Sequence, residues 1–384
     1  MLFEINNRSG ILNILVLGNG FDLAHGLPTK YADFLEFIKA FQQFQAGNDS
    51  GKYHDYFLLL QKNCNDIYEE IDNLSADNCW LRYFITKYQT MNSDGKTGWI
   101  DFESEISIFI QALDAARKTL NEQFKKGEKR GHMEQWQLDI IIPLYNIEGK
   151  IPDEKFIDFS PSTITLRKEK ALSDLNKLTR CLEIYLCHYL NYDECKQLRD
   201  IVDLKIDKVL SFNYTDTYKR IYDKTVDSNV EYDYIHGKAD INHDIESCNL
   251  VLGIDEYLSD SSKNSDNEFI QFKKFYQRIY KMTGCRYIDW LEKAREFRRF
   301  LKKGNPPEHN LFFYGHSLDI TDADILRRLI LEEGFITTIF YHSKKTLGNQ
   351  IGNLVKVIGE EELIKRTDGN RRTIIFRKTS PETV

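Results

Sequence analysis

A short aliphatic run that ends in two closely spaced glycines constrains the fold of this chain more than any other feature. Residues 11–17 read ILNILVL and are followed at once by Gly18-Asn19-Gly20. A short, nearly continuous apolar run predicts a strand of a parallel sheet that is covered on both faces. Glycines after such a strand allow a tight turn without a Cβ, so a phosphate can approach the backbone N–H groups. The run therefore predicts an α/β fold with a ligand site beyond its first strand.

Six further runs have the same strand pattern, and all of them lie in the second half of the chain. They are KVLSFN (208–213), YDYIHG (232–237), NLVLGI (249–254), NLFFYGHS (310–317), ITTIFYHS (336–343) and RRTIIFRK (371–378). Helical patterns at 322–334 and 346–358 lie between the last three runs. Strands that alternate with helices predict a doubly wound, Rossmann-type parallel sheet.

The first half of the chain is mostly helical by pattern. Aliphatic and aromatic residues recur there at three- and four-residue spacing. The segments with this spacing are 30–41, 56–90, 101–124 and 168–193. We therefore expect a discontinuous Rossmann-type domain formed by residues 1–40 and 201–384. A large helical insertion domain of residues 41–200 would interrupt it.

Composition and charge narrow the function classes. The 384 residues are 41% hydrophobic and 29% charged, as in ordinary globular proteins, and the net charge is −7 at pH 7. Because phosphate neutralisation dominates nucleic-acid affinity, an acidic chain is not expected to bind nucleic acid. No run approaches the roughly 20 apolar residues of a membrane span, and no signal-peptide pattern opens the chain. We expect a cytoplasmic protein without membrane association.

Cysteine and histidine spacing gives no sign of a metal site. The seven cysteines form no C-x-x-C pair, so their number and spacing predict neither a zinc ribbon nor a disulfide framework. The histidines are scattered and show no H-E-x-x-H motif. The sequence therefore predicts a protein without a bound metal.

Polar or glycine-rich residues stand at the predicted carboxyl ends of four strands. These are Gly18-Asn19-Gly20, Ser211-Phe212-Asn213, His236-Gly237 and Gly315-His316-Ser317. Ligands of open parallel sheets bind beyond the carboxyl ends of the strands. The four motifs therefore predict one site at one edge of the sheet.

The order and spacing of these motifs resemble those of the sirtuins. The sirtuin opening has G-A-G followed after five residues by G-I-P, and here Gly20 is followed after five residues by Gly26-Leu27-Pro28. The ordinary dinucleotide fingerprint has a third small residue three positions after the second glycine, where this chain has Leu23. Three later motifs of this chain resemble sirtuin motifs in the same order. Ser211-Phe212-Asn213 corresponds to T-Q-N, His236-Gly237 to His-Gly, and Gly315-His316-Ser317 to G-T-S. Because the C-x-x-C pairs of the sirtuin zinc module are missing, protein deacylation is not expected.

A closer resemblance is to the AbiH family of bacterial abortive-infection proteins. The landmarks are G-N-G-F-D-L-x-x-G-L-P-T-x-Y, W-I-D-F-E at 99–103, S-F-N-Y-T, I-H-G and G-H-S-L. They extend over most of the chain. This resemblance implies a role in phage defence, and the sirtuin-like motifs imply a reaction that consumes NAD.

The resemblance implies a role for each motif residue. Asn213 and His236 would be the catalytic pair, with Asn213 orienting the ribose or the water and His236 acting as the base. Asp22 would bind a ribose hydroxyl or cap a helix. The further NAD-binding candidates are Gly18, Asn19, Gly20, Pro28, Ser211, Asp216, Gly237, Gly315 and Ser317. The open alternatives are a turn-forming or capping Asn213 and a hydrogen-bonded sheet-edge His236.

Four acidic or hydroxyl residues outside the core of these motifs also have a predicted role. Asp216 is displaced by one residue from the acid of the sirtuin N-I-D motif and would contact the ligand or cap the next helix. Glu103, in W-I-D-F-E, would line the pocket or lie on a helix surface. Asp319 and Thr321 have the pattern of helix-starting residues.

Three hypotheses for function follow. The leading one is an NAD glycohydrolase of phage defence that acts on NAD as its substrate and is restrained by oligomerisation, a regulatory protein or a phage trigger. The second is a sensor that binds NAD or ADP-ribose without turnover. The third is an RNA-directed toxin, which rests on the basic run REFRRFLKK at 295–303.

Overall fold

The protein is described by a computed structural model. It describes residues 11–93, 100–125, 161–225, 228–258, 262, 265–300, 308–369 and 372–380. The chain forms two compact units. The sheet unit comprises Met1–Thr29, Leu190–Lys238 and Met282–Val384, and the helical unit comprises Lys30–Tyr189 and Ala239–Lys281. Residues 239–281, which the sequence pattern groups with the Rossmann-type domain, therefore cluster with the helices.

The sheet unit is built on six strands. They are β1 (Asn13–Leu17), β2 (Lys208–Ser211), β3 (Glu231–Tyr234), β4 (His309–Tyr314), β5 (Phe335–Tyr341) and β6 (Ile374–Lys378). Every neighbouring pair is parallel, and the order is β3-β2-β1-β4-β5-β6. This is the strand order of dinucleotide-binding α/β folds, with the switch point between β1 and β4. The predicted parallel α/β sheet is confirmed, and its sirtuin type stays a prediction.

The predicted strand at 249–254 is wrong. Its apolar residues are buried, but an isolated bridge between Ile254 and Lys273 is the only strand-type pairing there in the described part of the chain. The Gln277 side chain instead satisfies the backbone, accepting from Leu252 N at 3.0 Å and donating to Leu252 O at 3.1 Å. The backbone of a buried apolar run can thus be satisfied without a sheet where a side-chain amide bonds to its N–H and C=O groups.

Fourteen α-helices are present in the described residues. They are α1 (Gly20–Ala24), α2 (Tyr31–Gln45), α3 (His54–Asn63), α4 (Asn65–Ser75), α5 (Cys79–Ser93), α6 (Phe102–Lys125), α7 (Pro161–His188), α8 (Arg199–Val202), α9 (Thr217–Ile221), α10 (Lys274–Tyr280), α11 (Arg286–Phe300), α12 (Ala323–Ile330), α13 (Lys344–Ile358) and α14 (Glu360–Thr367). The predicted helical segments are all confirmed, with 56–90 divided into three helices. The residue before α13, Ser343, caps it by accepting from Thr346 N at 3.1 Å.

Helices cover both faces of the sheet, which explains why β1 is apolar from Ile14 to Leu17. Ile14 and Val16 pack on one face with residues of α11, α12 and α13. Leu15 and Leu17 pack on the other face with residues of α1, α8 and α9. Successive strand residues point to opposite faces, so a strand covered on both faces needs apolar residues at every position.

Within the helical unit, a buried ion network joins α4, α7 and the segment after residue 239. Arg180 is 1% exposed and donates to Glu70 Oε1 and Glu183 Oε2, both at 2.8 Å. Glu183 is fully buried, and its second oxygen is 2.6 Å from His243 Nδ1 and accepts from Asp240 N. Each charge therefore has a partner of opposite sign or a hydrogen-bond donor, which offsets its burial.

Candidate functional site

The register of the sheet brings the four predicted strand-end motifs to one edge. Leu17 pairs with both Ser211 and Tyr314, and Ser211 pairs with Tyr234, so four adjacent strands end at one level. The second residues beyond that level are Asn19, Asn213, His236 and His316. The residues chosen from the sequence are therefore neighbours at the edge where parallel sheets bind ligands.

The glycines at the switch point hold the first turns after β1 and β4 against each other. Gly18 N donates to Tyr314 O at 3.1 Å, and Gly20 N donates to Gly315 O at 2.9 Å. Gly315 has φ +69°, and a Cβ there would lie 2.1 Å from Phe21 N. A Cβ on Gly18 or Gly20 would also lie within 2.8 Å of the turn after β4. Close backbone packing therefore requires these glycines, and the N–H groups of Gly18 and Gly20 donate to carbonyls at the carboxyl end of β4.

The Gly26-Leu27-Pro28 segment folds the chain back onto Asn19. Gly26 has φ +77°, and Leu27 N donates to Asp22 O at 3.1 Å. Thr29, directly after the half-buried Pro28, donates through Oγ1 to Asn19 Oδ1 at 2.6 Å. Its carbonyl accepts from Asn19 Nδ2 at 3.2 Å. The two hydrogen bonds of Asn19 thus hold the loop before α2 against the end of β1.

A small pocket lies beyond the carboxyl ends of β1, β2 and β3. Its cavity volume is about 10 Å³, which is room for about one water molecule. Its polar wall is formed by Asp22, Ser211, Asn213, Thr215, Asp216 and Thr217. Asp22 is 1% exposed, and its Oδ2 accepts from Thr215 Oγ1 at 2.6 Å. Its Oδ1 is buried without a hydrogen-bond partner. A buried carboxylate oxygen without a donor is rare in folded proteins and costs free energy.

Burial raises the pKa of Asp22 to about 6. The Thr215, Thr217 and Asn213 side chains partly offset this rise, and the nearby Asp216 adds to it. A carboxyl group with this pKa gains and loses its proton close to neutral pH. Perturbed carboxyl groups that line a cleft are candidates for acid–base function.

Asn213 lies in the same pocket as Asp22. It is buried, and its Nδ2 donates to Gly18 O at 3.0 Å, which ties the end of β2 to the end of β1. Asn213 N donates to Ser211 Oγ at 3.1 Å, and Ser211 Oγ donates back to Asn213 O. Ser211 thus holds the backbone turn that presents Asn213.

A second buried cluster consists of His236, His316 and Asp322. His236 Nε2 is 3.2 Å from Asp322 Oδ1, and His316 Nε2 is 3.9 Å from Asp322 Oδ2. The edge of Phe212 meets both imidazole rings, with centroid distances of 5.6 Å and 4.4 Å. Leu318 N donates to His316 Nδ1 at 2.9 Å. Asp322 therefore stands between two imidazoles at the ends of β3 and β4.

The two clusters lie on opposite sides of the end of β2. Phe212 packs in the same apolar cluster as Leu210, whereas Ser211 and Asn213 line the Asp22 pocket. Among the described residues that line this pocket, neither His236 nor His316 is present. The predicted catalytic pair thus occupies adjacent strand ends without sharing the pocket, and no hydrogen bond joins Asn213 to His236.

Three other predicted site residues have structural partners. Asp216 is the N-cap residue of α9, and its carboxylate pairs with Arg220 instead of capping the helix. Gly237 has φ +81° and donates from its N–H to Tyr234 O at 3.2 Å. Ser317 is exposed, and its carbonyl accepts from Asn353 Nδ2 at 3.0 Å.

Two predictions outside the pocket are also decided by contacts. Asp319 Oδ1 accepts from Thr321 N at 3.2 Å, which confirms the predicted helix start. Glu103 pairs with the buried Lys274 at 2.7 Å, and both belong to the helical unit. Glu103 therefore serves to neutralise a buried lysine.

Sequence reasoning missed Asp322 and assigned His316 no role. β2 and β1 lie between β3 and β4, so the strand order does not place His236 and His316 side by side. The two imidazoles come together by packing on Phe212 after β2. Asp322 comes from the turn before α12, and no motif marks it. Among the described residues, no group of three His, Cys, Asp or Glu side chains is placed to hold a metal ion.

Among the helices of the described residues, none combines the length and the apolar character needed to cross a bilayer.

Comparison with known proteins identifies the family. The comparison with curated proteins gives no match. A family model described as "Bacteriophage abortive infection AbiH" matches residues 14–342. The match begins in β1, extends through both compact units and ends just after β5, so it includes every residue of the two clusters. The chain therefore belongs to the AbiH family of bacteriophage abortive infection proteins.

Proposed function

We propose that this abortive-infection protein hydrolyses NAD at the bond between nicotinamide and ribose. One observation carries the proposal. A six-stranded parallel sheet with the order of dinucleotide-binding folds has a buried, polar pocket at its carboxyl edge, and that pocket contains Asp22 and Asn213. Hydrolysis of NAD would deprive an infected cell of a cofactor on which its metabolism depends, which suits an abortive defence.

The reaction sets four requirements on the site. Cleavage of a glycosidic bond proceeds through an oxocarbenium-like state, so the ribose must be held and its positive charge stabilised. The attacking water must also be oriented and must give up a proton. Asn213 is suited to orient the ribose or the water, because its amide is fixed by Gly18 O. His236, beside Asp322, and Asp22 are the two candidates for the base.

The size of the pocket limits what it holds. Sites for whole ligands of drug size enclose roughly 300–1,000 Å³. The cavity of about 10 Å³ beside Asp22 has room for about one water molecule, so a dinucleotide would lie outside it. We propose that the attacking water occupies this cavity and that the ribose next to nicotinamide lies at its opening.

The experiment measures nicotinamide release from NAD by the full-length protein, alone and with extract of phage-infected cells as a source of a trigger. Asn213→Ala and His236→Ala are expected to lose activity. His342→Ala is the control, because His342 is exposed and belongs to neither cluster. Full activity of Asn213→Ala would contradict the proposal, as would the absence of turnover under both conditions.

A sensor for NAD or ADP-ribose is the second candidate. The pairing of Asp216 with Arg220 favours it, because the acid of this motif is then engaged within the protein. Ligand-induced stabilisation by NAD and ADP-ribose without nicotinamide release would support the sensor. A ligand at 100 times its Kd would stabilise the fold by about 2.7 kcal/mol.

A further inference from the structure

Two groups compete for the role of base, and only one of them shares a pocket with Asn213. Asp22 and Asn213 both line the small cavity beyond β1, β2 and β3, which has room for about one water molecule. His236 lies on the other side of Phe212, within 3.2 Å of Asp322. A base must reach the proton it removes directly or through one water molecule. A water molecule held beside Asn213 in this cavity is therefore next to Asp22.

One carboxylate oxygen of Asp22 accepts no hydrogen bond. The other oxygen accepts from Thr215, whereas this one is buried without a partner. The Asp22 side chain is shielded from solvent, since only 1% of the residue is exposed. A protein retains an unsatisfied buried acceptor where a ligand or a water supplies the missing donor. The water that attacks the ribose has the right chemistry to supply it.

We propose that Asp22, and not His236, accepts the proton of the attacking water, an assignment that rests on the proposed function. The water oxygen bonds to the anomeric carbon of the ribose as the bond from that carbon to nicotinamide breaks. The bonding electron pair goes to the pyridinium nitrogen, so nicotinamide leaves neutral. The proton of the water passes to Asp22 and then to solvent. NAD and water thus yield ADP-ribose, nicotinamide and a proton.

The electrostatic surroundings fit this role. The ionisable groups that face Asp22 in the described part of the chain are Asp216, Tyr192, Tyr234 and Cys195. Burial raises the pKa of both tyrosines and of the cysteine, so these three are neutral at pH 7. Asp216 is paired with Arg220. With a pKa of about 6, Asp22 is mostly ionised at neutral pH and is a stronger base than an ordinary aspartate.

His236 then has a positioning role. Its Nε2 is buried beside Asp322, and its ring is fixed against Phe212. Replacement of His236 disturbs the ends of β2 and β3 and so lowers the rate indirectly. It does not remove the group that titrates in the pocket.

The test compares Asp22→Asn, His236→Gln and wild type in nicotinamide release from NAD, from about pH 5 to about pH 8. Asn is isosteric with Asp and still accepts from Thr215. We expect Asp22→Asn to lose about 100-fold or more in kcat/KM, the usual contribution of a general base. His236→Gln is expected to retain measurable activity that falls as the pH drops through about 6. Asp203→Asn, at an exposed aspartate, is the matched control and keeps wild-type activity.

The outcomes separate this assignment from the proposed function. If wild type releases nicotinamide and Asp22→Asn keeps its rate within about threefold, the assignment to Asp22 fails and NAD hydrolysis stands. If the acid limb near pH 6 disappears in His236→Gln, His236 is the base and the assignment fails. If wild type and all variants release no nicotinamide with or without the infected-cell extract, both fail together. Urea denaturation of each variant verifies that loss of activity is not loss of fold.

Discussion

At the residue scale, Asp22 combines two properties that usually conflict. It is buried in α1, the helix that follows the central strand β1, and it has one oxygen without a donor. Such a group lowers the stability of the free protein whenever it is charged. Residues of this kind are expected where function needs them, because function often requires an arrangement that is not the most stable one.

Asp22→Asn should therefore stabilise the free protein at high pH and not at low pH. Burial raises the pKa of Asp22 from 3.8 to about 6, so its contribution to stability is fully present below about pH 4 and is lost as the pH rises through about 6. A rise of about 2 pKa units corresponds to about 3 kcal/mol. We expect the variant to gain up to about 3 kcal/mol at pH 8 relative to pH 4, measured by urea denaturation. An equal gain at both pH values would contradict the burial of a charge at this position.

The sequence predicted that Asp22 takes part in the site but not why. Its partner Thr215 is 193 residues away, and the burial of the carboxylate results from the packing of β2 beside β1. Asp322 was missed for the same reason, because it is 86 residues from His236 in the chain and approaches it only in the folded sheet unit. Local patterns predict strands and turns, whereas pKa values depend on contacts between distant segments.

At the scale of elements, the turns after β1 and β4 form one closely packed junction. Gly18, Gly20 and Gly315 are needed there because their backbones touch, and two N–H groups donate across the junction. The G-x-G signal in the sequence was therefore correct about a turn without side chains. It did not reveal that the turn after β4 packs against these glycines.

Gly315→Ala should be far more damaging than Gly26→Ala. Both glycines have positive φ, +69° and +77°, so both substitutions incur a left-handed backbone cost of about 1–2 kcal/mol. Only at Gly315 would the new Cβ also clash, at 2.1 Å from Phe21 N, whereas nothing lies within 4 Å at Gly26. We expect a loss of about 3 kcal/mol or more for Gly315→Ala and about 1 kcal/mol for Gly26→Ala, by urea denaturation. Equal losses would mean that the junction is not closely packed.

The ion network of α4 and α7 is expected to be sensitive to the loss of one partner. Arg180→Met leaves the fully buried Glu183 without its cation, and breaking a buried pair in this way costs about 3–5 kcal/mol. Lys52→Met removes the cation of an exposed pair with Glu36 and should cost about 1 kcal/mol or less. Chemical denaturation of the two variants provides the comparison. A similar, small effect of both would show that Glu183 is not buried in solution.

At the scale of the whole molecule, the pattern of strands and helices was sufficient to predict the architecture. Six of the seven predicted strands are present, because a parallel sheet covered on both faces requires continuous apolar runs separated by helices. The run at 249–254 has the same composition but belongs to the helical unit. Composition alone does not distinguish a buried strand from a buried irregular segment, since both exclude water in the same way.

The most direct test of the central claim is nicotinamide release from NAD by the full-length protein, with and without extract of phage-infected cells. Wild type and His342→Ala should release nicotinamide, and Asn213→Ala should not, because Asn213 is fixed in the pocket at the carboxyl edge of the sheet. Turnover by wild type that Asn213→Ala abolishes is the predicted result. Intact NAD in every sample, with no stabilisation of wild type by NAD or ADP-ribose, would contradict the claim that this pocket is a site for NAD.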